Sequence, residues 1–172
     1  MPDRLFALNS QADTAPVAAI IGFGDRGQKW ARNASKAGHH VRVFDPNVEE
    51  LPKTKPYEHC ELLSKAVDDA RVIIVTLPDR IALQRTVLQL LQSSVDQDQL
   101  VFVMTKDSSV ETIQGCVKWP ESIIRLDGTA LSRVKLHASA TNHSDAVQAA
   151  VAIMRSLGAK PVVVINDAPS PN

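Results

Sequence analysis

The stretch VAAIIGFGDRGQKWARNASKAGHHVRVFD, residues Val17 to Asp45, decides the fold. Its first five residues, Val17–Ile21, form a compact apolar run that stops at a glycine, as a strand buried on both faces does. From Arg26 to Ala37, small or apolar residues recur at Gly27, Trp30, Ala31, Ala34 and Ala37, a helical spacing that ends at Gly38. Val41–Phe44 (VRVF) reads as a second strand, closed by Asp45-Pro46. Strand, glycine turn, helix and strand in 29 residues make one β-α-β unit of a parallel sheet.

The alternation continues along the chain. A polar, proline-punctuated connection runs to Tyr57, and Glu58 to Ala70 reads as a short helix with Leu62, Leu63, Ala66 and Val67 inward. Val72–Thr76 (VIIVT) is a third strand, and Ile81 to Ser93 a helix with Leu83, Val87, Leu90 and Leu91 on its inner face. Leu100–Met104 (LVFVM) is a fourth strand, after which Ser108 and Glu111 form an S-x-x-E capping box for a helix to about Val117. Ser122–Leu126 and Val134–Ala140 are further strands. Ser144 caps a last helix with Val147, Ala150, Val151, Met154 and Leu157 inward, and Lys160–Ile165 is the final strand. Right-handed crossovers turn this order into a doubly wound, mostly parallel sheet, a Rossmann fold with three α/β/α layers.

Length and composition set the outer limits. The chain has 172 residues, the size of one domain, with 44% hydrophobic and 22% charged residues as in soluble globular proteins. Residues 1–15 read as a flexible polar tail and 16–172 as a single domain. Lys plus Arg equals Asp plus Glu at 19 each, so the basic excess expected of a nucleic-acid binder is missing. Cys60 and Cys116 form no C-x-x-C pair, which speaks against a disulfide scaffold. No apolar run approaches the roughly 18 residues of a membrane span, and the N-terminus lacks the apolar core of a secretory signal. The expectation is a cytoplasmic protein without nucleic-acid or membrane partners.

Gly22-Phe23-Gly24-Asp25-Arg26-Gly27 is G-x-G-x-x-G placed between a strand and a helix, and Asp45 closes the second strand 18 residues after Gly27. The chemistry needs these residues for separate reasons. Gly22 permits the tight turn, Gly24 lets a pyrophosphate approach the backbone, and Gly27 lets helix and strand pack closely. The helix N-terminus offers free N–H groups and a positive dipole end to phosphates. Asp45 would hydrogen-bond the adenosine ribose and repel a 2′-phosphate, and no Arg or Lys occurs in Pro46-Asn47-Val48. NAD is therefore expected over NADP. Asp25 brings a carboxylate to the phosphate turn, for which Arg26 could compensate by reaching the phosphates.

With these residues in view, the chain resembles the cofactor domain of the 6-phosphogluconate dehydrogenase-like superfamily of β-hydroxyacid dehydrogenases. Ile21–Pro46 is similar to the 3-hydroxyisobutyrate dehydrogenase pattern G-x-G-x-M-G…A-x-N-L…A-G-H-x-V-x-V-x-D, with Gly22, Gly24, Gly27, Ala31, Asn33, Ala37, Gly38, His39, Val41, Val43 and Asp45 in matching places. Asp68–Asp79 (DDARVIIVTLPD) is similar to the family segment whose strand end and loop line the cofactor, which implies roles for Leu77 and Pro78. Met104–Ile113 resembles a loop of 3-hydroxyacyl-CoA dehydrogenases, and the same region is similar to prephenate dehydrogenases. The resemblance puts Thr105 where a hydroxyl lies near the nicotinamide, and makes Thr105 and Lys106 the candidate catalytic residues. It implies hydride transfer to or from a small hydroxy or keto acid.

The departures from these families are as definite. Asp127–Arg133 contains no histidine where two of the families carry a catalytic one, and Leu131-Ser132-Arg133 stands where the third has a substrate-binding S-G-G. The helical second domain that the resemblance implies is not expected within 172 residues. Two other readings thus stay open: a stand-alone, catalytically silent dinucleotide-binding module for sensing, regulation or protein interaction, and a degenerate domain that binds no nucleotide. A separate helical domain or a second copy is the expected partner beside dinucleotide and substrate acid. Among the histidines none has metal-ligand spacing, and for His137 a structural role is favoured over that of a general base by its strand neighbours. No P-loop, G-x-S-x-G or H-E-x-x-H occurs.

Overall fold

A computed structural model describes residues 15–166. The stretch that opened the argument folds as β1 (Val17–Ile21), α1 (Asp25–Lys36) and β2 (His40–Phe44). It continues through β3 (Tyr57–His59), α2 (Leu63–Val67), β4 (Val72–Val75), α3 (Ile81–Leu91), β5 (Val101–Met104) and α4 (Val110–Gln114). The chain closes with β6 (Ile123–Asp127), β7 (Lys135–Ser139), α5 (Ser144–Ser156) and β8 (Val162–Asn166). The eight strands form one sheet in the order β3-β2-β1-β4-β5-β6-β7-β8. All neighbours are parallel except β6 and β7, so β7 and β8 run opposite to the rest. The reversal of strand order between β1 and β4 puts a crevice at the carboxyl edge of the sheet, above β1.

Strand residues alternate between two layers. Ala18, Ile20, Val41, Val43, Ile74, Phe102 and Leu126 face one layer, where Trp30, Ala31 and Ala34 of α1 and Ala150 and Met154 of α5 cover them. Ala19, Ile21, Ile73, Val75, Val101 and Val103 face the other, beneath Ala66 and Val67 of α2, Leu88 and Leu91 of α3 and Ile113 of α4. The fully buried strand core explains why VAAII, VIIV and VFVM are apolar without alternation.

Several expectations are corrected. Glu58 is not helical: Tyr57–His59 pairs with β2 as a short edge strand, and α2 is limited to Leu63–Val67, with Leu62 58% exposed. In α3 the inward residues are Gln84, Leu88 and Leu91, whereas Leu83 and Leu90 are 38% and 57% exposed. Gln84 Nε2 donates to the carbonyl of Pro78 at 3.3 Å, while its Oε1 is buried without a partner. The cap of α4 is Ser109, whose Oγ accepts from Thr112 N at 3.1 Å; Ser108 N instead donates to Thr105 Oγ1 at 3.3 Å. That helix ends at Gln114, short of Val117. In α5 the cap position is His143, Ala146 and Ile153 are buried, and Val147 and Val151 are only partly so. The expected tail 1–15 lies, except for Ala15, outside the described residues, as do 167–172.

Candidate functional site

The turn between β1 and α1 shows what each glycine is for. Gly22 has φ +94°, a left-handed conformation that favours glycine, and a Cβ there would lie 2.9 Å from the carbonyl oxygen of Thr76. A Cβ on Gly27 would lie 2.0 Å from the carbonyl oxygen of Gly22 and 2.9 Å from Thr76 Oγ1. At Gly24, by contrast, an added Cβ meets nothing within 4 Å. Two glycines are thus required by packing, and the one between them borders open space. Gly24 also stands at the N-cap of α1 without a side-chain cap, and Gln28 N is the amide that returns to Gly24 O, at 2.9 Å. The first turn of α1 thus starts without a side-chain acceptor for its N–H groups.

Asp45 sits at the end of β2, directly beside this turn. Its Oδ2 accepts from Phe23 N at 2.8 Å and its Oδ1 from Asn47 N at 2.9 Å. The carboxylate therefore fixes the glycine turn to the end of β2. Phe23 packs edge-on against Tyr57, ring centroids 6.0 Å apart, and burial pushes the Tyr57 hydroxyl above its usual range while Arg32 opposes it. Arg42, the one cation of β2, turns away: its Nη1 donates to the carbonyls of Asp68 at 2.7 Å and Lys65 at 3.3 Å. Asp25 is exposed at the first turn.

The loop after β4 forms the second wall. Thr76 Oγ1 donates to Gly22 O at 2.8 Å and so occupies the space that the glycines leave free. Arg26 reaches across to this loop: its Nη2 donates to Leu77 O at 2.8 Å and lies 3.6 Å from Asp79 Oδ2. With the Gln84 contact to Pro78 O, the loop 76–78 is held by two side chains from α1 and α3 and by its own Thr76 hydroxyl. The third wall is the loop after β5. Thr105 is buried, its carbonyl accepting from Arg125 Nε at 3.1 Å, and Lys106 is exposed while its backbone N donates to Asp79 Oδ1 at 3.0 Å. Thr76, Asp79 and Gln84 were not among the expected site residues.

His137 lies across from Arg125 in the β6–β7 ladder. Burial lowers its pKa and Arg125 lowers it further, with Asp127 opposing. No group of three or more His, Cys, Asp or Glu that could hold a metal ion occurs among the described residues. Among them, too, no helix is long and apolar enough to cross a membrane.

Thr76 provides a first test. Thr76→Val keeps the shape and leaves Gly22 O buried without its donor, which costs about 1–2 kcal/mol by urea unfolding. Thr76→Ser should restore most of that loss; equal stability of all three proteins would remove Thr76 from the cradle.

A strand-order reversal, a glycine turn with one open face, an uncapped helix start and an acid at the end of β2 together fit a dinucleotide, and they define the class of dinucleotide-binding Rossmann domains. The chain belongs to the family described as the NAD binding domain of 6-phosphogluconate dehydrogenase, which matches residues 17–164. Among curated proteins, L-carnitine dehydrogenase/betainyl-CoA thioesterase of Rhizobium meliloti (strain 1021) is 26% identical, over 63% of this chain and 26% of that protein. Among solved structures, 3-hydroxybutyryl-CoA dehydrogenase from Escherichia coli K12 superposes with a TM-score of 0.76 at 17% identity, covering 90% of this chain and 39% of its own. The NAD+-dependent dismutase 5-formyl-3-hydroxy-2-methylpyridine 4-carboxylic acid 5-dehydrogenase gives 0.77 at 19% identity, covering 90% and 58%. The chain thus spans about a quarter of the curated relative and 39% to 58% of these structures. It is an NAD-binding Rossmann domain of dehydrogenase type.

Proposed function

We propose that the domain holds NAD for hydride transfer to or from a small hydroxy or keto acid. The observation that carries this reading is the open face at Gly24 between an uncapped helix start and Asp45. In this reading the amides of the first turn of α1 bind the diphosphate, and Gly24 gives it backbone contact. Asp45 accepts from the adenosine ribose hydroxyls and its charge disfavours a 2′-phosphate there. Leu77, Pro78 and Thr105 border the nicotinamide half, with Thr105 shaping its loop through Ser108 N. Lys106 is an exposed cation at the carboxyl edge, suited to a substrate carboxylate. Bound NAD supplies a hydride acceptor or donor at nicotinamide C4. A helical domain or a second copy completes the substrate side. That the relatives bearing this fold are named as dehydrogenases favours turnover over a silent binding module.

Titration with NADH, followed by nicotinamide fluorescence, tests the reading. Saturable binding with micromolar to sub-millimolar affinity is expected, followed by NADH formation from one or more members of a 3-hydroxy-acid panel. Absence of binding at millimolar NADH overturns it; binding without turnover on any acid leaves the silent module.

A further inference from the structure

Two loops of the carboxyl edge and the first turn of α1 meet at one carboxylate. Asp79, in the loop after β4, has Oδ2 3.6 Å from Arg26 Nη2 on the first turn of α1 and Oδ1 3.0 Å from the backbone N of Lys106 in the loop after β5. The same Arg26 nitrogen donates to Leu77 O at 2.8 Å. The Arg26 and Asp79 side chains are 25% and 22% exposed, so the pair is shielded from solvent more than a surface ion pair is. The strands below are already joined, β1 to β4 and β4 to β5. Asp79 extends that coupling upward to the loops, where no sheet hydrogen bonds reach.

Arg26 stands where the resembled family pattern has methionine, so an arginine–carboxylate contact cannot form there in a chain that follows the pattern. The carboxylate stands in the loop after β4, a wall of the crevice at the carboxyl edge. Unpaired, it would repel a diphosphate, and Arg26 offsets that charge without leaving the β4 loop.

We propose that Asp79 is a positioning residue of the dinucleotide cradle, held neutral overall by Arg26, that locks the first turn of α1 and the loops after β4 and β5 into one preorganised body. The proposal rests on the NAD reading above. A ligand that touches all three then binds without first ordering them.

The test uses the full chain and two readouts, NADH titration and hydrogen exchange at the Lys106 amide. Asp79→Ala removes both contacts and is expected to weaken NADH about tenfold and speed Lys106 exchange by a similar factor. Asp79→Asn keeps an acceptor for Lys106 N; exchange there should stay near wild type, with NADH binding reduced only about threefold. Arg26→Met leaves the Asp79 charge unopposed, so its affinity deficit should shrink as salt is raised to 0.5 M, which a merely structural defect would not do. The melting temperatures of Asp79→Asn and Arg26→Met should stay within about 3 °C of wild type.

Asp79→Ala with wild-type NADH affinity and wild-type Lys106 exchange overturns the proposal while the NAD reading stands. If the wild-type chain binds no NADH, that reading fails, and Lys106 exchange in Asp79→Ala and Asp79→Asn alone decides whether the loops are coupled. Should Asp79→Ala fail to fold, the salt dependence of Arg26→Met carries the test: a deficit that ignores salt overturns the proposal.

Discussion

Gly27→Ala is expected to lower the melting temperature by about 10 °C, corresponding to about 3 kcal/mol for a domain of this size. The alanine Cβ would lie 2.0 Å from the carbonyl oxygen of Gly22 and 2.9 Å from Thr76 Oγ1. Neither neighbour can yield cheaply. Gly22 is held at φ +94°, its N donates to Phe44 O at 2.8 Å, and its carbonyl is the acceptor of the Thr76 hydroxyl. Relief therefore requires α1 to move off β1, which opens the packing of Trp30, Ala31 and Ala34 over the sheet. Gly24→Ala is the contrast. Its Cβ meets nothing, so stability should change by no more than about 1 kcal/mol, while NADH affinity falls about tenfold as the methyl group enters the diphosphate space. Thermal melts and NADH titrations of the two variants should sort in opposite order. If Gly27→Ala melts within about 2 °C of wild type, close helix–strand contact is not what that glycine provides.

Asp45→Ala should have the larger effect on cofactor affinity. The substitution removes the acceptors proposed for the ribose hydroxyls and those observed for Phe23 N and Asn47 N. Two lost hydrogen bonds to a charged group are worth about 3 kcal/mol together, or about 100-fold in NADH affinity. Loss of the tie to Phe23 N adds about 1–2 kcal/mol of destabilisation by urea unfolding. The charge argument gives a sign that packing cannot mimic. With the carboxylate gone, a 2′-phosphate is no longer repelled, so the NADPH-to-NADH affinity ratio should rise at least tenfold. An unchanged ratio would mean that Asp45 serves only the turn.

Those two positions were legible because their evidence is local. A strand, three glycines at fixed offsets, a helical repeat and a terminal acid lie within 29 residues, and each follows from backbone geometry. What escaped was set by distant partners. Thr76 and Gly22 are 54 positions apart, Arg26 and Leu77 51, and no spacing rule connects them. Gln84 departs from the helix pattern as well: its amide donates to Pro78 O, and α3 turns a glutamine inward and leaves Leu83 and Leu90 outside. Tyr57-Glu58-His59 was missed as a strand because three mixed residues carry no period, and only the edge of β2 makes them one. Nothing in the sequence flanking Arg26 announces its contact with Asp79, 53 positions away.

The two layers of helices share every central strand. Neighbouring residues of β1, such as Ala19 and Ile20, belong to opposite layers, as do Ile73 and Ile74 of β4. Detaching α1 would bare Ile20 and Ile74, while detaching α3 would bare the reverse side of the same two strands, so neither layer can melt and leave the sheet dry. Denaturation should therefore be a single cooperative transition, in which circular dichroism and Trp30 fluorescence lose their native signal together.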